Sequence, residues 1–260
     1  MEDASITIRG LYKNYGETRA LDGVDLDIES GEIFGILGPN GSGKTTILRI
    51  ICSIMEPTAG YVRVKGIDAL KEPLSVKAKI GYVPETPTLY ESLTPVEFLS
   101  FIGAVRKIDS SVLSEKIHRF ADAFEISDKL DTFIGSLSFG TKQKVAIISA
   151  LIHDPEILVL DEGMNGLDPR SAKLLKNLLM DYASSGRIVI FSTHVLEVAE
   201  NVCDRLAIIY RGKIVNIGTL KEMKERQGST DAHLEDIFLK MTGDSDLGPV
   251  IESLRETMKK

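Results

Sequence analysis

Hydrophobic and polar residues alternate near the start of the chain, whereas further along the hydrophobic residues form short uninterrupted runs. Alternation over Ser5–Asn14 and Leu21–Glu29 predicts strands of an antiparallel sheet with one face in water. Uninterrupted runs at Glu32–Leu37, Glu156–Leu160 and Arg187–Phe191 predict buried strands. Helical patterns separate these runs, so the order of the elements predicts an α/β fold.

A helical insert is expected at about 86–155, between two of the predicted strands. Its first helix opens on Thr94-Pro95-Val96-Glu97, a capping box with proline at the first helical position. A second helix follows Ser110-Ser111, and a third begins near Ser138 and ends before Pro155. The remaining predicted strands are Tyr61–Lys65, Lys79–Val83, Leu206–Ile209 and Lys213–Ile217, the last two forming a hairpin.

The same pattern divides the chain into a main domain at 1–218 and a charged, helical extension at 219–260. Within the extension, Gly228-Ser229-Thr230 and Gly243-Asp244-Ser245 predict breaks, and fraying is expected at Ile251–Lys260. The main domain is long enough to bury a sizeable hydrophobic core.

Composition narrows the classes of function. The 260 residues carry a formal net charge of -7, and an acidic chain lacks the broad basic surface of a nucleic-acid-binding protein. No nucleic-acid partner is therefore expected. Cys52 and Cys203 lie in apolar surroundings and are expected to be free, reduced thiols. The acidic start Met1–Ala4 predicts no signal peptide, and no apolar run approaches the ~18 residues of a membrane span.

The stretch that follows the first buried strand carries the strongest chemical signal. It matches the phosphate-binding pattern G-x-x-x-x-G-K-[ST], and a helix-compatible segment comes directly after it. The glycines let successive backbone amides point inward, and the helix adds the positive end of its dipole. We expect Lys44 to reach the β- and γ-phosphates and Thr45 to ligate Mg²⁺. The residues of this loop are Gly38, Pro39, Asn40, Gly41, Ser42, Gly43, Lys44, Thr45 and Thr46.

Two carboxylates end the buried strand at Ile157–Leu160. In phosphate-loop enzymes the aspartate at this strand end holds Mg²⁺, which is the role expected of Asp161. Glu162 is then placed to take a proton from an attacking water molecule. Together with the loop, the pair predicts hydrolysis of a nucleoside triphosphate.

These motifs resemble those of the nucleotide-binding subunits of ABC (ATP-binding cassette) transporters, and the resemblance spans about Ile6 to Gly218. The diagnostic segment is Leu137-Ser138-Phe139-Gly140-Thr141, which is similar to the family's LSGGQ signature. Phe139 replaces a glycine and Thr141 replaces the glutamine of that signature. Ser138 and Gly140, the positions that contact phosphate in the family, are retained. We refer to Leu137–Thr141 as the signature segment.

Four more positions take roles that the resemblance implies. Tyr15 stands where the family stacks an aromatic ring on adenine, and His194 matches the catalytic histidine that contacts the γ-phosphate. Asp168 closes a segment similar to the family's D-loop at the dimer seam. Glu85 occupies the place of a glutamine that binds nucleotide and Mg²⁺. That glutamate and the helical pattern at Leu234–Leu239 are similar to a branch of single-cassette subunits of exporters.

The resemblance implies a fold with a phosphate-loop core, an antiparallel β subdomain and a helical subdomain. It further implies an ATP-hydrolysing subunit that dimerises head to tail on ATP and drives a permease docked near Glu85–Thr94. Such a subunit works in the cytoplasm, on the inner face of the membrane through its permease. Two alternatives stay open: a soluble ABC ATPase acting on nucleic acid or ribosomes, and a small-molecule kinase that uses only the phosphate loop.

Overall fold

The computed structural model describes residues 5–226 and 234–242. The strands are β1 (Ile6–Tyr15), β2 (Thr18–Ile28), β3 (Ile33–Leu37), β4 (Ala59–Val64), β5 (Ile67–Asp68), β6 (Ile80–Val83), β7 (Ile157–Asp161), β8 (Ile188–Thr193), β9 (Arg205–Tyr210) and β10 (Lys213–Gly218). The helices are α1 (Lys44–Ile51), α2 (Pro73–Lys79), α3 (Pro95–Val105), α4 (Ser110–Ala123), α5 (Phe139–Leu151), α6 (Pro169–Ser184), α7 (Leu196–Val202), α8 (Leu220–Arg226) and α9 (Leu234–Thr242).

The central sheet has six strands in the order β10-β9-β3-β8-β7-β6. All neighbours are parallel except β10 and β9, which form the antiparallel hairpin expected from the sequence. Every residue of β3, β7 and β8 is buried, which explains their uninterrupted apolar sequences. Because parallel strands end at one edge, the segments that follow β3, β6, β7 and β8 all lie at that edge.

A second, four-stranded antiparallel sheet has the order β2-β1-β4-β5. Its inward residues, among them Ile6, Ile8 and Val62, share one hydrophobic core with α1 and with one face of the central sheet. The alternation near the start of the chain is therefore explained by one face packed on this core and the other in water.

Helices α3, α4 and α5 lie between β6 and β7 in the chain and pack on the opposite hydrophobic core, which α6 also joins. The predicted capping box at Thr94 and Glu97 is present in full. The second helix already includes Ser110 and Ser111, which were expected to precede it, and its cap is Asp109, whose carboxylate accepts from the amides of Ser111 and Val112. Helix α2 was not predicted from the sequence, since only Val76 of its residues is buried.

The described part of the extension packs beside the central sheet. Leu234 and Ile237 of α9 are buried with residues of α7 and β9, and the amide of Leu234 donates to Glu200 Oε1 at 2.9 Å. The breaks predicted at Gly228–Thr230 and Gly243–Ser245, the fraying expected at Ile251–Lys260 and the start Met1–Ala4 all lie outside the described residues.

Two further sequence expectations concern the cysteines and the membrane. Cys52 is buried and Cys203 partly buried, and both are free thiols as predicted. Burial raises the pKa of Cys203 to about 12 and also raises that of Cys52. Across residues 5–226 and 234–242, no helix combines the length and the apolar character that crossing a bilayer requires.

Candidate nucleotide site

The phosphate-loop residues wrap the start of α1 at the edge where β3 ends. Gly43 is the N-cap of α1 and no side chain caps this helix, so its first-turn amides keep their hydrogen-bonding capacity. A cavity of about 330 Å³ opens there, lined by the loop from Asn40 to Thr46 together with Ala20, Glu85 and Glu162. The helix dipole and the free amides make this cavity suited to an anion.

The residues of the loop fit a phosphate group. Gly41 and Gly43 adopt φ values of +76° and +115°, which L side chains rarely reach. A Cβ on Gly43 would also lie 2.8 Å from Leu21 Cδ2, so only glycine fits. Ser42 Oγ is buried and has no hydrogen-bond partner within the described structure. Such an orphaned donor in a loop of inward-pointing amides is expected where a polar ligand completes the bonding.

Lys44 holds its ammonium group at the mouth of this loop. Its side chain is only 6% exposed, and Nζ donates to Gly38 O at 2.8 Å and to Pro39 O at 3.3 Å. The same Nζ lies 3.6 Å from Glu162 Oε1. The ammonium group is thus positioned between the phosphate-loop backbone and the proposed catalytic carboxylate.

Glu162 follows β7 directly and adopts a strained backbone conformation. Its φ of 52° lies in the left-handed region, and its amide donates to the backbone oxygen and to Oγ of Ser192. Oε1 accepts from His194 Nδ1 at 2.8 Å, whereas Oε2 is buried and has no hydrogen-bond partner among the described residues. One carboxylate oxygen is thus oriented by the side-chain nitrogens of Lys44 and His194, and the other remains available to bond a water molecule.

Asp161 is almost fully buried at the end of β7. Oδ1 accepts from Ser192 Oγ at 2.6 Å, and Tyr82 Oη lies 3.4 Å from Oδ2. Ser192 thus bonds both carboxylate-bearing residues, which the sequence analysis did not predict. The signal available in the sequence was the hydroxyl residue Ser192, which lies next to Thr193 at the end of β8.

Few protein groups are available to hold a metal ion. In the part of the chain that the structure describes, no cluster of three or more His, Cys, Asp or Glu side chains could bind one. Glu85 lines the loop cavity, and Thr45 is the second residue of α1 beside it. A hard cation held mainly by substrate phosphates needs only one or two such protein oxygens, which this donor set fits.

The chain matches the family model for ABC transporters over residues 21–165. It is 36% identical over 214 residues to the ABC transporter ATP-binding protein NatA of Bacillus subtilis, covering 82% of this chain and 87% of the relative. The chain belongs to the ABC transporter family. A second relative in it, the daunorubicin resistance ATP-binding protein DrrA3 of Streptomyces coeruleorubidus, is 32% identical over 228 residues, covering 88% and 72% of the two chains.

A solved ABC structure shows the same fold. The dimeric post-hydrolysis state of the ATP-binding cassette MJ0796, bound to ADP and Pi, aligns with a TM-score of 0.76 and 26% identity. The alignment covers 83% of this chain and 98% of that one. The predicted phosphate-loop α/β fold with its antiparallel and helical parts is confirmed, and so is the identity of the chain as an ATP-binding, ATP-hydrolysing ABC subunit.

The structure divides the predicted site residues of this ABC subunit into two groups. The first group is centred on Glu162, whose Oε1 lies within ion-pair or hydrogen-bonding distance of both Lys44 and His194. Asp161 directly precedes Glu162 in the sequence. Ser138, Gly140 and Asp168 do not line the loop cavity; they lie together where α5 meets the loop after β7.

Tyr15 is also absent from the cavity lining. It ends β1 with its ring about half exposed, and Lys13 Nζ lies 5.3 Å from the ring centroid. Its hydroxyl donates to Met55 Sδ at 2.8 Å. The exposed ring is available for stacking, but nothing in the lining of the cavity places it against a bound base.

Proposed function

We propose that this chain is the ATPase subunit of an exporter and works as a head-to-tail pair with a second copy. The observation that carries the proposal is the separation just described. One copy supplies the phosphate loop, Glu162 and His194, whereas its own signature segment lies outside that cavity. A second copy would bring its Ser138 and Gly140 to the open side. The dimeric state of MJ0796 with ADP and Pi supports this arrangement, and the resistance function in the name of DrrA3 supports export.

Each side chain of the site has a defined task in this proposal. Lys44 and the loop amides bind and orient the phosphates, and Thr45, Asp161 and Glu85 would hold Mg²⁺. When bound, Mg²⁺ offsets negative charge on the phosphate oxygens. Glu162 takes the proton of the attacking water.

His194 orients Glu162 through the bond to Oε1 and would contact the terminal phosphate. Tyr15 would stack on the adenine, and Asp168 would lie at the dimer seam. We further propose that the domain division at 218 holds, with the extension attached beside α7.

ATP is expected to gate the pairing of two copies. We predict that the isolated protein is a monomer and that Glu162→Gln, which cannot complete the reaction, forms a dimer with ATP. Adding Ser138→Asp should abolish this dimer. Aspartate also caps a helix well, so α5 stays formed, but its carboxylate repels the terminal phosphate. Size-exclusion chromatography with and without ATP measures the outcome.

Thr94→Asp in the same background is the matched control, because Thr94 is likewise the N-cap of a helix, α3, and is not part of the signature segment. This variant should dimerise normally. A stable dimer without nucleotide, or a dimer that Ser138→Asp leaves intact, would contradict ATP-gated pairing through the signature segment.

The permease would dock in a groove between the central sheet and the helical insert. This groove is not lined by the 85–94 segment expected from the sequence, but it adjoins that segment, because a neighbouring cavity lined by Thr88 and Leu89 shares Ile54 with it. It contains a cavity of about 720 Å³, with exposed apolar side chains of Ile54, Leu74 and Val105 around it. Lys77 and Lys107 also line it, and neither pairs with a carboxylate in the described part of the chain. His153 faces the same cavity, and its pKa is lowered to about 4 by burial and by the cations Arg106 and Lys116.

The chemistry of this groove fits an amphipathic helix of the permease that carries carboxylates beside its apolar face. Docking there would place the chain on the inner face of the membrane through its partner. Tyr82 lines the same cavity, and its hydroxyl approaches Asp161, so the groove adjoins the metal-binding edge.

Val105→Glu is predicted to weaken co-purification with the membrane subunit while leaving the ATPase activity of the isolated protein unchanged. A carboxylate at this exposed apolar position opposes both the apolar face and the charge of the expected partner helix. The control is Val112→Glu, a half-exposed valine of α4 that does not line the groove. Equal recovery of the membrane subunit by both variants would remove the groove as the docking surface.

A further inference from the structure

The loop at 163–168, which follows Glu162, is anchored at both ends by one helix. Gln143 of α5 is fully buried and its Nε2 donates to Gly163 O at 3.1 Å. The next residue, Lys144, places Nζ 2.7 Å from Asp168 Oδ2 at the far end of the loop. Since the two anchors are consecutive residues, any shift of the first turns of α5 moves both ends of the loop.

Lys144 is a buried cation with a single carboxylate partner. Its side chain is 11% exposed, and Nζ also donates to Phe124 O at 2.9 Å. Within residues 5–226 and 234–242, no other carboxylate pairs with it. The Lys144 ammonium, followed by bonds from Ser171, holds the pKa of Asp168 well below its usual range. The Asp168 carboxyl is therefore ionised at neutral pH, and removing either member of the pair leaves the other without its partner.

The tip of the loop is fixed against the signature segment. Gly166 has φ +74°, and a Cβ there would lie 2.5 Å from Cδ1 of the Phe139 ring, so the ring rests directly on the loop. A Cβ on Gly140 would overlap Gly166 O. The LSGGQ pattern has glycine at the position of Phe139, so the ring contact is a feature of this chain.

We propose that Lys144 is a positioning residue for ATP hydrolysis, and that Phe139 assists it. The signature segment leads through the N-cap Ser138 into the first turn of α5, and Lys144 lies in the second turn of the same helix. When a neighbouring copy's nucleotide seats the signature segment, Lys144 and Phe139 fix the loop and, through it, Glu162 in the same copy. Hydrolysis at each site thus depends on whether that subunit's own signature segment is engaged. The inference rests on the proposed function, because it requires the head-to-tail pair.

Lys144→Met tests this coupling. Misplacing a catalytic group by a fraction of an ångström is expected to lower kcat on the order of 10- to 100-fold. KM for ATP and ATP affinity of the monomer should stay within about twofold, because Lys144 does not line the nucleotide cavity. The control is Lys142→Met, which removes a lysine of the same helix that pairs with Glu91 instead. Its kcat should equal that of the unmodified protein.

Four more measurements separate positioning from a general loss of stability. Lys144→Arg retains the cation and should recover most of the kcat. Asp168→Asn keeps the N-cap of α6 but removes the charge, so it should lower kcat as Lys144→Met does. The double variant should show no further loss, since both changes break one interaction. Amide hydrogen exchange should rise at 163–168 and stay unchanged in β3 and β8. If Lys144→Met does not fold, Asp168→Asn and hydrogen exchange carry the test.

Equal kcat values for Lys144→Met and Lys142→Met would overturn the inference, and so would losses that multiply in the double variant. If the unmodified protein releases no phosphate from ATP, the proposed function fails first. Normal hydrolysis by the unmodified protein and by both single variants refutes only the coupling through Lys144.

Discussion

Replacing Glu162 with glutamine is expected to lower ATP turnover by on the order of 10²- to 10⁴-fold, the usual contribution of a general base. The amide cannot accept the proton of the attacking water, yet it keeps the shape of the carboxylate and can still contact His194 and Lys44. Because the phosphate loop is untouched, ATP affinity should stay close to that of the unmodified protein. Phosphate release measures the first effect and calorimetry with Mg²⁺ and ATP measures the second.

Glu91→Gln is the control for this change, since Glu91 is an exposed glutamate that pairs with Lys142 on the insert, away from the loop cavity. It should hydrolyse ATP at the normal rate. Near-normal phosphate release by Glu162→Gln would show that Glu162 is not the general base. Glu85 would then be the remaining carboxylate in the lining of that cavity.

Local patterns predicted most of the strands and helices correctly, for a physical reason. The phosphate loop and the capping box at Thr94 each depend on residues within a few positions of one another. Strand β7 is recognisable because a strand buried on both faces must be apolar throughout. Helix α2 was not predicted because it buries a single residue, so its sequence has no periodic hydrophobic pattern.

The order of strands in the central sheet could not be deduced in this way. Strand β3 lies between β8 and β9, although both strands come much later in the chain than β3. This arrangement brings Lys44 and His194 to the same carboxylate oxygen of Glu162. The resemblance of the motifs to the ABC family supplied the expected roles, but it gave no distances. Only the structure shows that the site residues fall into two groups, one at the phosphate loop and one where α5 meets the loop after β7.

Contacts between distant segments were the least predictable part of the site. Lys144 and Gln143 have no local pattern that distinguishes them from other polar helical residues, yet both are buried against the loop after Glu162. Phe139 was identified as a departure from the signature, but only the structure shows its ring against Gly166. The left-handed conformation of Glu162 likewise depends on Ser192, which belongs to another strand.

Lys44→Met is expected to weaken ATP binding by about tenfold to a hundredfold. A hydrogen bond to a charged group contributes about 1.5–3 kcal/mol, and about 1.4 kcal/mol corresponds to a factor of ten in affinity. Lys44 is buried at the mouth of the loop and keeps one N–H beyond its two bonds to the loop carbonyls, so its ammonium is the charged partner that the phosphates would engage. Calorimetry with Mg²⁺ and ATP gives the affinity directly. Lys116→Met, which removes a lysine that donates to Ile152 O, is the matched control and should bind ATP normally.

The close approach of Lys44 to Glu162 requires one more variant, because Lys44→Met also leaves the buried carboxylate without its cation. Repulsion between that carboxylate and the phosphates would lower affinity even if Lys44 never touched ATP. The double variant Lys44→Met/Glu162→Gln removes both charges and should still bind ATP about tenfold or more weakly than Glu162→Gln alone. Equal affinity of these two proteins would mean that Lys44 acts only by neutralising Glu162, and direct binding of phosphate by its ammonium group would have to be abandoned.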